Sequence, residues 1–219
     1  MTEDHVGSTR LISLQVPYET LKKDLGTFKQ KALDLGASLA EIIPAQLVEI
    51  DERVRLKCFI PLCPYYDKNP YCPPRAPQPE FMRAALSRYS WAILFALDVV
   101  PVEHFADCSV QQKLGVQWTK KSIEIAGRVE TLAFASGYYL AMGLCQFNCL
   151  RALCDQEHCL VLEGDKCPFS LVARPSMEGL GIDVFRLVTK VGWDIYPIYR
   201  SIDPKLVPRA LAVGIVFIY

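Results

Sequence analysis

Residues 91–100 read WAILFALDVV, an apolar run broken only by Asp98. Such a run predicts a strand covered on both faces, since a half-exposed strand would alternate apolar with polar. Working outward, Pro79 suits the first turn of a helix that turns Phe81, Met82, Ala85, Leu86 and Tyr89 inward. On the other side, residues 109–136 predict a long helix with apolar positions at Leu114, Trp118, Ile125, Val129 and Leu132, ended by Gly137. Farther out, residues 18–35 set Tyr18, Leu21, Leu25, Phe28, Ala32 and Leu35 on one helical face before Gly36. Asp183 can cap a short helix bearing Val184, Leu187, Val188 and Val191, stopped by Gly192. Residues 45–60 are expected as one or two strands, on the alternation of Val54, Leu56 and Cys58. Residues 138–144 and 210–219 also read as strands. This alternation predicts an α/β fold: one domain over residues 1–219, with helices packed on a mixed β-sheet.

Two irregular stretches interrupt the pattern. Residues 61–79 hold prolines at 61, 64, 70, 73, 74, 77 and 79, a density that excludes a packed helix or central strand. Residues 145–167 form a second loop. Long loops without structure of their own are usually functional or held by something else.

The 24 basic and 24 acidic residues cancel, which leaves no electrostatic footprint for nucleic acid. The opening MTEDHVGSTR lacks the apolar core of a leader, and no apolar stretch approaches the roughly 20 residues that cross a bilayer. A cytoplasmic protein without membrane insertion is expected. Against that setting nine cysteines stand out, because disulfides belong to oxidising compartments.

Eight of the cysteines fall in two groups: Cys58-x4-Cys63-x8-Cys72-Pro-Pro, and Cys145-x3-Cys149-x4-Cys154-x4-Cys159-x7-Cys167-Pro. Thiolates this close require a cation, since they would otherwise repel and protonate. Structural zinc sites favour C-x2-C knuckles and often recruit histidine. No C-x2-C occurs here, and of His5, His104 and His158 only His158 lies among cysteines. Gaps of four suit iron–sulfur clusters, whose ligands stand farther apart than those of one ion. Zinc remains the alternative. Cys149, Cys154, Cys159 and Cys167 can complete one [4Fe–4S] cluster. Cys58, Cys63 and Cys72 give three ligands to a second. Its fourth corner is open to Cys145, to Cys108 or to an exogenous group, and Cys145 is the expected ligand because it opens the same loop as the second set.

Arg55-Leu56-Lys57-Cys58, Cys63-Pro64-Tyr65-Tyr66, Tyr71-Cys72-Pro73-Pro74, Arg174-Pro175-Ser176-Met177-Glu178 and Gly181-Ile182-Asp183 together resemble a prokaryotic family of unknown function described as metal-binding. The resemblance runs from about residue 45 to the end of the chain. It implies cysteine-bound metal of iron–sulfur type, in mostly anaerobic microbes, and no set reaction. The late loop departs from the tighter C-x2-C-x2-C expected of the family, with gaps of four and Cys145 in addition.

Blander roles compete for the remaining residues. Cys108 reads as a spare thiol, and His104 and His158 as surface residues. Tyr65, Tyr66 and Tyr71 are packing aromatics before they are gates. Arg174 and Glu178 lie four apart and can pair on a helical turn, while Arg174 is also a cofactor-binding candidate able to hydrogen-bond a cluster. No P-loop, G-x-G-x-x-G, G-x-S-x-G or H-E-x-x-H is present. The expected function is electron transfer to or from a partner redox protein or complex, with oligomerisation left open. The alternatives are an enzyme that uses an open-corner cluster, and a zinc-built interaction module.

Overall fold

The computed structural model describes residues 9–154, 156–198 and 202–219, with the side chains of Cys108 and Gln112 also outside that description. The opening residues expected to lack a leader therefore lie mostly outside the described residues, as do His5 and the thiol of Cys108. Four strands, β1 (Leu39–Pro44), β2 (Trp91–Asp98), β3 (Met142–Leu144) and β4 (Leu211–Phe217), form one sheet in the order β1-β2-β4-β3. Every pairing in it is antiparallel. The run at 91–98 is the strand its composition predicts. It is continuously apolar, although antiparallel, because helices cover both faces of the sheet.

The helices follow the chain as α1 (Tyr18–Asp34), α2 (Glu52–Phe59), α3 (Pro79–Leu86), α4 (Glu103–Ala106), α5 (Cys108–Val110), α6 (Val116–Ala135) and α7 (Val184–Lys190). One face of the sheet presents Ile93, Phe95, Leu97, Ala212 and Val216 to Leu21, Leu25 and Phe28 of α1 and to Ile125, Ala126 and Val129 of α6. The other presents Ala92, Leu94, Val213, Ile215 and Phe217 to Met82 and Leu86 of α3, to Leu187 and Val188 of α7, and to Met177, Leu180 and Ile182. The period-two alternation of β2 and β4 thus divides the core into two layers. Gly214 sits opposite Phe95 in the register, and the Phe95 ring lies across it.

Local sequence explains where the elements differ from expectation. Residues 45–60 are not strand: β1 precedes them, Ala45–Leu47 make a 3-10 turn, and α2 carries Val54, Leu56 and Cys58. Asp51 caps α2 by accepting the Arg53 N–H, and a cap followed by good helix formers outweighs a three-residue alternation. Residues 109–136 are interrupted by a π-helical turn at Gln111–Gly115. One extra residue in that turn rotates Leu114 off the buried face, and it is exposed. Residues 138–144 give only the short β3, because Gly137, at φ 90°, and the Tyr138 N–H bonded to Ala133 still belong to the end of α6. Tyr18 and Phe81 lie exposed on the margins of their helices.

A Cβ on Gly214 would stand 2.2 Å from Phe95 Cζ. Gly214→Ala should therefore lower stability by about 1–3 kcal/mol, the usual cost of overpacking. Urea unfolding measures it, and Gly214→Ala combined with Phe95→Leu should recover part of the loss.

Candidate metal centre

Three segments meet at one end of the sheet. The first begins on the last turn of α2, which sets Cys58 at the mouth of the early loop; Cys63 N–H then returns to the Cys58 carbonyl at 2.9 Å. Asp67 turns the chain at φ 59°, its N–H on the Pro73 carbonyl and its carboxylate on Arg75. Asparagine and aspartate tolerate this conformation better than most residues. Asn69 is wholly buried and donates from Nδ2 to Cys72 Sγ at 3.1 Å, while its Oδ1 accepts the Tyr71 N–H.

The late loop starts as β3 ends. Asn148 accepts the Arg151 N–H, and Leu150–Cys154 form a π-helical turn. Such turns cluster at functional sites because they re-aim side chains that a regular helix would fix. Two bonds tie the loops directly: Cys159 N–H to the Lys68 carbonyl, and Arg151 to the Tyr65 hydroxyl at 3.0 Å.

Residues 174–183 form the third segment. Cys145 N–H donates to the Pro175 carbonyl and Met177 N–H to the Cys145 carbonyl, so this segment runs beside the start of the late loop. Gly179 lies beneath the early loop, where a Cβ would stand 2.7 Å from the Tyr71 carbonyl oxygen. Arg174 does not pair with Glu178. It forms a two-pronged ion pair with Glu130 of α6, at 3.0 and 2.9 Å, and donates further to the Leu171 and Ala173 carbonyls. The i,i+4 expectation fails because no regular helical turn joins the two: Glu178–Leu180 form only a 3-10 turn.

Electrostatics divide the thiols. Burial pushes the Cys149 thiol up to about 12, and the neighbouring Cys154, Cys159, Cys167 and Cys72 add to the effect. Burial likewise lifts Cys72 to about 11, against the Asn69 hydrogen bond and alongside Cys63 and Cys58. The charges of Cys154, Cys159 and Cys167 thus bear on Cys149 and those of Cys63 and Cys58 on Cys72, Cys72 also acts on Cys149, and Cys58, Cys63 and Cys72 line one cavity. Cys145 is fully buried, its Sγ 3.6–3.9 Å from the carbonyl oxygens of Pro175, Arg174 and Phe147, and burial raises its thiol pKa strongly. Tyr71 packs at the four-thiol group, and burial followed by the charges of Cys149 and Cys167 raises its phenol. His104 accepts from Trp118 Nε1, and His158 is exposed.

A cavity of about 460 Å³ opens beside the three-thiol group. Cys58, Cys63, Cys72, Tyr65, Arg151 and Glu178 line it, among others. Cys145 does not. Among the described residues, no three His, Cys, Asp or Glu side chains are drawn together around a single-ion site.

Residues 41–216 match the family described as predicted metal-binding protein (DUF2284). The chain belongs to this family. No curated protein and no solved structure matches it. Predicted metal binding is what the family's description gives, and both cysteine loops and the 174–183 segment lie inside the matched span. Three members of the site escaped sequence reasoning. Asn69 carries only the signal of its place three residues before Cys72, Glu130 lies in a distant helix, and spacing pairs Glu178 with Arg174, which the structure gives to Glu130. Among the described residues no helix is long and apolar enough to cross a membrane.

Gly179→Ala should push Tyr71 and Cys72 outward and cost about 1–3 kcal/mol. In the metal-free protein, Cys72 should then react with maleimide faster than in wild type, read by peptide mapping. Unchanged Cys72 reactivity would show that the early loop does not rest on Gly179.

Proposed function

We propose that the protein binds two iron–sulfur clusters, most simply [4Fe–4S], and passes electrons to or from a partner redox protein or complex. When bound, such a cluster supplies one-electron chemistry at a potential set by hydrogen bonds, burial and charge around its sulfurs. The meeting of two cysteine-bearing loops, with Cys58, Cys63 and Cys72 lining one cavity and Cys149 under the charges of Cys154, Cys159, Cys167 and Cys72, carries this reading. Cys149, Cys154, Cys159 and Cys167 offer a full ligand set, and Cys58, Cys63 and Cys72 offer three-quarters of another. Asn69 donates to the Cys72 sulfur and so favours added negative charge there. Tyr71 helps keep water from the four-thiol group. Cys145, turned toward backbone carbonyls, serves as a buried thiol of the packing behind the site. Arg174, with donors committed to Glu130, Leu171 and Ala173, acts on the site through its charge. Phe59, Ile60 and Leu62 are exposed between Cys58 and Cys63, giving a docking partner an apolar surface close to the three-thiol group.

The cavity favours a second reading, in which the three-thiol site acts on a small molecule as an enzyme. Cyanide binding separates the two: a changed electron paramagnetic resonance spectrum supports the exchangeable corner an enzyme needs, and an unchanged one supports the carrier.

In protein purified without oxygen, Cys154→Ser and Cys63→Ser should each remove about four of about eight irons, leaving different residual spectra. Cys145→Ala should keep both clusters. Equal residual spectra in the two serine variants would show that the thiols serve one centre, and iron loss in Cys145→Ala would make Cys145 a ligand.

A further inference from the structure

Glu178 is a carboxylate without a satisfied role. Its Oε2 is shut from solvent and has no hydrogen-bond partner among the described residues. The backbone N–H groups of Glu178 itself and of Phe147 face the carboxyl and favour its charged form, against the effect of burial. Phe147 achieves this at φ 62°, a left-handed conformation that a bulky residue adopts at a cost. Burial raises the carboxyl pKa to about 7. Leaving a carboxylate oxygen enclosed and idle is expensive, and native proteins rarely do so unless an ion or catalytic task uses it.

The surroundings identify that use. Glu178 lines the cavity together with Cys58, Cys63 and Cys72, and its charge opposes the ionisation of Cys58, of Cys72 and of Cys145, which lies outside the cavity lining. The cation that would neutralise it by sequence, Arg174, is spent on Glu130. Three thiolates and one carboxylate around a common space make a mixed donor set, and carboxylate oxygen is an established ligand for iron beside softer donors. Building on the function proposed above, we propose that Glu178, through Oε2, is the fourth protein ligand of the metal centre held by Cys58, Cys63 and Cys72. A carboxylate is a harder and more readily exchanged ligand of iron than thiolate. The corner facing the cavity is therefore the one a small molecule displaces first.

The test is electron–nuclear double resonance on dithionite-reduced protein grown with carboxyl-13C glutamate. Wild type should show a 13C hyperfine coupling on one of its two cluster spectra, and Glu178→Gln should lose that coupling while the other spectrum stays as in wild type. Glu178→Ala should also release one iron from the affected cluster to a chelator several-fold faster than wild type. Wild type without the coupling, or Glu178→Gln with the coupling intact, overturns the ligand role while leaving two clusters in place. A wild-type protein lacking the Cys63-dependent cluster overturns the ligand role and the proposed function together.

Discussion

The seam between Cys145 and residues 175–177 holds the metal end of this molecule together. Two backbone hydrogen bonds, to the Pro175 carbonyl and from the Met177 N–H, lay the 174–183 segment along the exit of β3. From there Met177 enters the core layer that α3 and α7 cover, Gly179 supports the Tyr71 carbonyl, and Glu178 reaches the cavity. The segment therefore couples the sheet to both cysteine loops at once. Arg174 anchors its start to α6 through Glu130, whose Oε2 also accepts the Gly143 N–H of β3. A partly buried ion pair of this kind is worth little against an apolar replacement, but losing one partner strands the other. Its value here is positional: it fixes where the segment begins.

The thiols place an opposite demand on the fold. Burial and mutual repulsion raise Cys72, Cys149 and Cys145, so a metal-free chain keeps them protonated at neutral pH. Metal binding at Cys72 and Cys149 must release their protons, and the energy gained couples binding to the arrangement of both loops. Hydrogen bonds between the loops, at Cys159–Lys68 and Arg151–Tyr65, hold the two thiol groups side by side.

The core was legible where burial imposes a strict period. Residues 91–98, α1 with Leu21, Leu25 and Phe28, and the Asp183-capped α7 all follow from apolar spacing and end signals. The strand expected at 45–60 failed because Val54, Leu56 and Cys58 also suit a helix, and the Asp51 cap decides between them. The kink at Gln111–Gly115 left no mark in composition, since a π-turn changes phase and not residue type. At the site, the two cysteine-bearing loops could be read from the sequence, because proline density and the gaps between cysteines are local features. Glu178 could not: its pairing depends on Arg174 meeting Glu130, 44 positions away in the chain. Asn69 likewise gains its meaning from burial against Cys72.

The most direct measurement is the iron, acid-labile sulfide and zinc content of the whole chain purified without oxygen. Two cubane clusters require about eight irons and about eight sulfides per chain, with zinc absent. A colourless protein carrying zinc and no labile sulfide would contradict them.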